Sequence, residues 1–257
     1  MRHPYVGITG FMDSTESAHA LRVFGSPSGT FNYKLMVGVL ASARSVRGEE
    51  KRFANRYPSL RKIPSIFPNS NQSIGLIHYS TDYPNCLYQD MQALAEHCAH
   101  NPGFHGFQLN MNWPNVDDLK RWKNESLVGR TLVLSITSSC MHLAGNQPDV
   151  VAELVAKSYH GLVDYILLDP SGGRGQVFDL PTMLGYLRAF AQVGIIENLV
   201  VAGGLSSTNL VLARAIAGEF PGISIDAERK LRNQDDNLDL GESTYYLNAA
   251  KNVLCSF

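Results

Sequence analysis

At 257 residues, 44% hydrophobic and 18% charged, the chain has the size of one α/β barrel with material for a sizeable core, which excludes a disordered polypeptide. A formal net charge of −1 supplies no global field toward nucleic acid or an anionic membrane, so both are disfavoured as partners and any basic site must be local. The cysteines Cys86, Cys98, Cys140 and Cys255 lie far apart, without metal-ligand spacing, which reads as reduced thiols in a cytoplasmic protein.

The opening Met-Arg-His-Pro-Tyr-Val runs into a strand-like segment within a few residues, leaving no room for a signal peptide's apolar core. No apolar stretch approaches the ~18 residues that a membrane span requires. Short aliphatic or β-branched runs then recur along the chain: Val6 to Gly10, Leu35 to Ala41, Ile74 to Tyr79, Gly106 to Asn110, Leu132 to Ile136, Tyr165 to Leu168, Leu199 to Ala202 and Ile223 to Ile225. They are apolar on both faces, as strands of a helix-covered parallel sheet must be. Between them, helical periodicity predicts helices over Ser14 to Val23, Cys86 to His100, Asp149 to Tyr159, Leu180 to Val193, Ser207 to Phe220 and Thr244 to Leu254. Strand and helix alternate without a linker or repeat, so residues 1–257 are expected to form a single (β/α)₈ TIM barrel of the α/β class.

One segment breaks the rhythm. From Ser42 to Asn71 the chain is polar, carries prolines and holds Arg44, Arg47, Lys51, Arg52, Arg56, Arg61 and Lys62. It reads as an enlarged loop after the second strand: either a solvated surface loop or a cationic lid over the barrel mouth. A nucleic-acid contact would show itself as salt-dependent binding.

The last strand ends carry the chemistry. Leu167-Leu168-Asp169-Pro170-Ser171 leads into Gly172-Gly173-Arg174-Gly175, which places a carboxylate beside a glycine-rich loop at the barrel mouth. Asp169 is there as an acid or base, or as the cap of its own loop or the partner of Arg174. Ala202-Gly203-Gly204-Leu205 precedes a predicted helix, an arrangement that offers unpaired N–H groups to an anion. The eighth strand runs into Asp226-Ala227-Glu228-Arg229-Lys230-Leu231-Arg232, where the cations either complete a phosphate pocket or balance the acids in a solvated turn.

These motifs, in this order and spacing, resemble the corresponding run of the phosphoribosylanthranilate isomerase family, which performs an Amadori rearrangement. Val6-Gly7-Ile8-Thr9-Gly10, Ser42-Ala43-Arg44-Ser45-Val46 and Gln108-Leu109 are similar to three further strand ends of that family. The resemblance implies that Asp169 is the general acid toward the ribose ring oxygen and that Arg44 meets an aryl carboxylate. It also implies that the backbone amides of Gly173, Gly175, Gly203 and Gly204 line the phosphate end. The residues themselves add Arg174 and Arg229 as candidates beside the phosphate, and Gln108 and Asn110 as candidate substrate contacts. No cofactor and no metal are implied, and a homodimer is compatible with the pattern.

The departures are equally specific. Thr9 stands where the family has a cysteine base, and a threonine hydroxyl cannot take a proton at neutral pH without a partner. Asp226-Ala227-Glu228 replaces a Ser-Ser-Gly phosphate turn, and Asn110 replaces a histidine. His78, at the end of the third strand, has the ordinary pKa for proton transfer and is the candidate replacement base. Asp13, Asp82, Asn112, Trp113 and His142 are secondary candidates near the mouth, while His97, His100 and His105 lie on the other side and form no metal site. These departures set the chain apart from an ordinary tryptophan-pathway isomerase, and the expected function is an isomerase-like enzyme acting on a phosphorylated ribose derivative, by Amadori chemistry or by making or breaking a C–N glycosidic bond. A non-catalytic barrel that binds a phosphometabolite or serves as a scaffold is the alternative.

Overall fold

The structure is a computed structural model describing residues 3–25, 32–49, 53–172 and 177–255. Parallel strands β1 (Tyr5–Thr9), β2 (Lys34–Ser42), β3 (Ser73–Ser80), β4 (Phe104–Leu109), β5 (Thr131–Thr137), β6 (Tyr165–Asp169), β7 (Leu199–Val201) and β8 (Ser224–Ala227) follow one another around a closed barrel. Every strand read from the sequence is present, and β8 pairs back to β1 with Gly7 opposite Asp226.

The helices are α1 (Ser14–Phe24), α2 (Ala43–Arg47), α3 (Ile63–Ile66), α4 (Leu87–Cys98), α5 (Val116–Glu125), α6 (Ser138–Leu143), α7 (Pro148–Ser158), α8 (Leu180–Gln192), α9 (Val211–Glu219) and α10 (Leu240–Leu254). Aspartates start three of them: Asp13, Asp179 and Asp239 each accept backbone N–H bonds from the first turn of α1, α8 and α10. The predicted helix over 207–220 is shorter than expected. It begins at Val211, after a turn, and Leu210 gives it no side-chain cap.

Alternation along the strands divides the buried side chains into two sets. Outward residues such as Val6, Ile8, Val37, Ile77, Phe107 and Ile136 join the helices in one large apolar cluster. Inward residues Tyr5, Met36, Ile74, Leu76, Val133, Tyr165, Leu167, Val200 and Ala202 plug the barrel itself. Continuing the same parity toward the C-terminal strand ends, the inward positions change to Thr9, His78, Gln108, Ser135, Asp169 and Asp226. The apolar plug therefore becomes the floor of a polar mouth.

The connection 43–72 is barely longer than 170–198, which joins β6 to β7, but its contents differ. Instead of one long helix it holds α2, a single 3₁₀ turn at Ala54–Arg56 and α3. Its far end is anchored beneath by Ser17, whose hydroxyl donates to Ile66 O at 2.6 Å, and by Asn101, which donates to Pro64 O and Phe67 O. Ala43, Arg44, Phe53 and Tyr57 of the same connection line a chamber beside Asn110 and Thr137.

Candidate active site

The polar mouth contains a narrow well of about 60 Å³ that descends between β1, β4, β6 and β8. Asp226 lies at its β8 wall and is 4% exposed. Both carboxylate oxygens accept from the Thr9 hydroxyl at 3.3 Å, and Oδ2 also accepts from Gln108 Nε2 at 3.0 Å. Gly7 makes room for this group, since a Cβ there would fall 2.7 Å from Asp226 Oδ1. Burial raises the Asp226 carboxyl to about 7, with the charges of Glu228 and Asp169 pushing in the same direction and the bonds from Gln108 and Thr9 opposing.

Across the well, Asn110 Nδ2 donates to His78 Nε2 at 3.0 Å. Burial lowers the His78 pKa, against the pull of Glu228 and Asp169. Ser135 Oγ lines the same well, buried and without a hydrogen-bond partner among the described residues.

Asp169 ends β6 on the opposite side. Its Oδ1 accepts from Ser171 N at 3.0 Å, Ser171 Oγ at 2.6 Å and Gly172 N at 3.1 Å. The loop-capping reading of this residue is thus realised, and it fixes the carboxylate at the rim of the well instead of removing it from the site. Gly203, at φ +99°, packs against it: a Cβ there would meet Asp169 Oδ1 at 2.8 Å.

Gly203 and Gly204 line the well together with Arg229 and Lys230, both exposed at its rim. The glycines do not open a helix, contrary to the expectation from sequence. Asn209 closes the turn after them, accepting from Ser206 N at 2.8 Å and donating to Gly204 O at 2.7 Å, and α9 starts only beyond it. Any anion here would be met by the glycine turn and by Arg229 and Lys230, without a helix dipole behind it. Gly173, Arg174 and Gly175 lie outside the described residues, as do Lys51 and Arg52.

A wider chamber of about 520 Å³ adjoins the well and shares Asn110 and Thr137 with it. Arg44 stands on its wall at the start of α2, where Ser42 and Ser45 form a reciprocal capping box. Its guanidinium is half exposed, 3.6 Å from the more exposed Asp82. Phe53 and Tyr57 give the chamber an aromatic side, and Asn112 and Ser139 a polar one. Trp113 is turned away, packing on Tyr159 with ring centroids 6.0 Å apart. Asp13 is the α1 cap, and His105 sits at the opposite end of the barrel, at the start of β4.

The acidic turn after β8 also differs from its sequence reading. Glu228 accepts from Arg56 Nη1 at 3.2 Å and lies 3.6 Å from Arg232 Nη2, while Arg56 grips Asp236 through Nε and Nη2 at 2.7 Å each. Cations from the 43–72 segment and from the turn itself neutralise the acids, which leaves Arg229 and Lys230 to face the rim. The sequence reading missed Arg56 and the buried position of Asp226. The alternation Ser224, Asp226, Glu228 along one inward face was the available signal for the latter.

No family profile and no curated protein matches the chain. Solved structures do match in three dimensions. Phosphoribosyl anthranilate isomerase from Thermus thermophilus superposes with a TM-score of 0.65 at 12% identity, over 97% of this chain and 99% of its own. N-(5′-phosphoribosyl)anthranilate isomerase from Pyrococcus furiosus gives 0.63 at 17%, over 97% and 100%. A phosphoribosyl anthranilate isomerase in complex with reduced 1-(o-carboxyphenylamino)-1-deoxyribulose 5-phosphate gives 0.60 at 15%, over 98% and 100%. The resemblance carried by the strand-end motifs is therefore met at the level of the fold, which this chain shares with those isomerases over nearly its whole length.

Proposed function

We propose that the protein is an isomerase of a phosphorylated, N-linked ribose derivative bearing an aryl carboxylate, acting by an Amadori-type rearrangement. One observation carries this reading: a rim carboxylate, a glycine turn with two cations, and an arginine-and-aromatic chamber share one mouth. In this reading the phosphate lies against Gly203, Gly204, Arg229 and Lys230. The ribose enters the well, and the aryl group lies in the chamber between Phe53 and Tyr57 with its carboxylate on Arg44. Asp169 donates the proton to the furanose oxygen as the ring opens. The ligand named with the isomerase complex has the same three parts, a carboxyphenyl amine, a sugar and a 5-phosphate.

The test is incubation with N-(5′-phosphoribosyl)anthranilate, followed by chromatography and mass spectrometry. A product of unchanged mass but altered retention, lost in Asp169→Asn while ligand-induced thermal stabilisation is kept, supports the isomerase. Release of free anthranilate assigns C–N bond cleavage instead. Stabilisation without turnover in either form assigns a non-catalytic binding barrel, and neither stabilisation nor turnover rejects the phosphoribosyl site.

A further inference from the structure

Moving a carbonyl from C1 to C2 of an opened sugar needs a base at C2 as well as an acid at the ring oxygen. Apart from Asp169, which serves the ring oxygen, the groups lining the well that could take that proton are Asp226, Glu228 and His78. Glu228 is held by Arg56 and lies beside Arg232, so its charge is already spoken for. The lone pair of His78 Nε2 accepts from Asn110. Asp226 differs from both: it has no cationic partner among the described residues, it lines the same well as Asp169, and neutral donors from two other strands hold it in place.

Resting on the isomerase reading above, we propose that Asp226 is the general base that removes the C2 proton, with Thr9 and Gln108 as the residues that position its carboxylate. The threonine on β1 then needs no basicity of its own. It orients the base by donating a hydrogen bond to it.

The step balances. Asp226 takes the C2 proton, the C2–H electron pair becomes the C1=C2 bond, and the π pair of the protonated C1=N bond returns to nitrogen. In the collapse of the enol-amine to the ketone, C1 gains one proton and O2 releases one, so no net proton is consumed. A carboxyl raised to about 7 by burial is at once basic enough to accept this proton and ionised in sufficient fraction near neutrality. The ionisable groups facing it are Glu228 beyond it on the same chain run, Asp169 on β6, Tyr5 on β1 and Tyr246 on α10. Both tyrosines are held neutral by burial, so the charges that raise it are the two carboxylates, added to the larger effect of burial itself, while His78, Arg229 and Lys230 line the same well.

Steady-state turnover of N-(5′-phosphoribosyl)anthranilate across pH from about 5 to about 9, by the wild type and by Asp226→Asn, Thr9→Val and His78→Gln, tests the assignment. In the wild type kcat/KM, which reports the free enzyme, should fall on the acid side with a limb near 7. Asp226→Asn should lose about 100-fold or more in kcat, keep its substrate affinity and show no such limb. Thr9→Val should move the limb upward, because the ionised carboxyl loses a donor. An Asp226→Asn enzyme within about tenfold of wild-type kcat and with the limb intact overturns the proposal, as does loss of the limb in His78→Gln alone. If Asp226→Asn fails to fold, Thr9→Val decides, and an unmoved limb counts against the base. A wild type that binds but never turns over sinks the isomerase reading and this inference together, whereas an active wild type indifferent to Asp226 sinks this inference alone.

Discussion

Arg56 and Asp236 stand 180 residues apart in the chain and meet through two parallel N–H···O bonds of 2.7 Å, Nε to Oδ2 and Nη2 to Oδ1. With the third contact to Glu228, this fork clasps the β2–β3 connection to the turn after β8 and so bridges two walls of the mouth. The Arg56 side chain is only 11% exposed, so water screens the clasp less than it would a surface pair. Arg56→Ala would leave Glu228 and Asp236 facing each other without that cation. Urea denaturation should show a loss of about 2–4 kcal/mol, below that for a fully buried pair because Asp236 is partly open to solvent. Arg56→Lys should recover less than half, since an ammonium cannot make the fork. Equal stability for lysine and arginine would mean the clasp is only a diffuse charge contact.

Gly203 is where backbone and chemistry meet. Its φ of +99° is strained for any other residue, and an added Cβ would press on Asp169 Oδ1. Gly203→Ala should therefore cost about 1–3 kcal/mol of stability. It should also displace the carboxylate, lowering kcat by about tenfold or more without a matching loss of phosphate-ligand affinity. A variant that is destabilised yet fully active would show that the position of Asp169 does not depend on this contact.

How much of this was readable beforehand follows from the range of each interaction. The strands declared themselves because a covered parallel sheet needs apolar residues on both faces, a local signal, and Asp169 and Arg44 stood out because strand and helix ends bear short motifs. The start of α9 was misplaced because Ser206, Ser207 and Thr208 look like caps, whereas Asn209 folds them into a turn. The clasp by Arg56 was invisible, since nothing in the polar 43–72 run marks one arginine out of several for a partner so distant in sequence. Asp226 was misread for a related reason: as part of an acidic string it looks solvated, and only closure of β8 onto β1 buries it beside Thr9.

Arg44 offers a sharper dissection of binding from stability. Its one ion pair among the described residues, with Asp82, is exposed on both sides and worth little. Arg44→Ala should shift unfolding free energy by less than about 0.5 kcal/mol. If it receives the aryl carboxylate, KM for the carboxylated substrate should rise about 10- to 100-fold with kcat largely kept, the signature of a lost charge-assisted bond made equally in ground and transition states. An analogue lacking the carboxylate should show no difference between the two enzymes. A uniform loss with both ligands would move the role of Arg44 away from carboxylate recognition.

The raised carboxyl of Asp226 also has a consequence for stability that does not depend on any substrate. An aspartate in the unfolded chain titrates near 3.9, while this one titrates near 7 in the fold. Between those values the folded protein holds a proton that the unfolded chain has lost, so its contribution to stability falls as pH rises through the window. Below about 4 both states are protonated and the term vanishes; above about 7 both are ionised and the penalty is complete, on the order of 1–4 kcal/mol. Asp226→Asn is neutral throughout and still offers Thr9 an acceptor. It should therefore be more stable than the wild type at about pH 8, with the gap closing toward zero near about pH 4. His78, whose pKa is lowered by burial, acts in the opposite sense, losing stability as pH falls, but it is common to both proteins and cancels in the difference. Thermal melts of the pair at intervals of pH would measure that difference directly, and parallel curves would show that the mouth bears no such penalty at Asp226. A variant that gains stability while losing turnover would show that the fold tolerates a buried carboxylate because the reaction requires it.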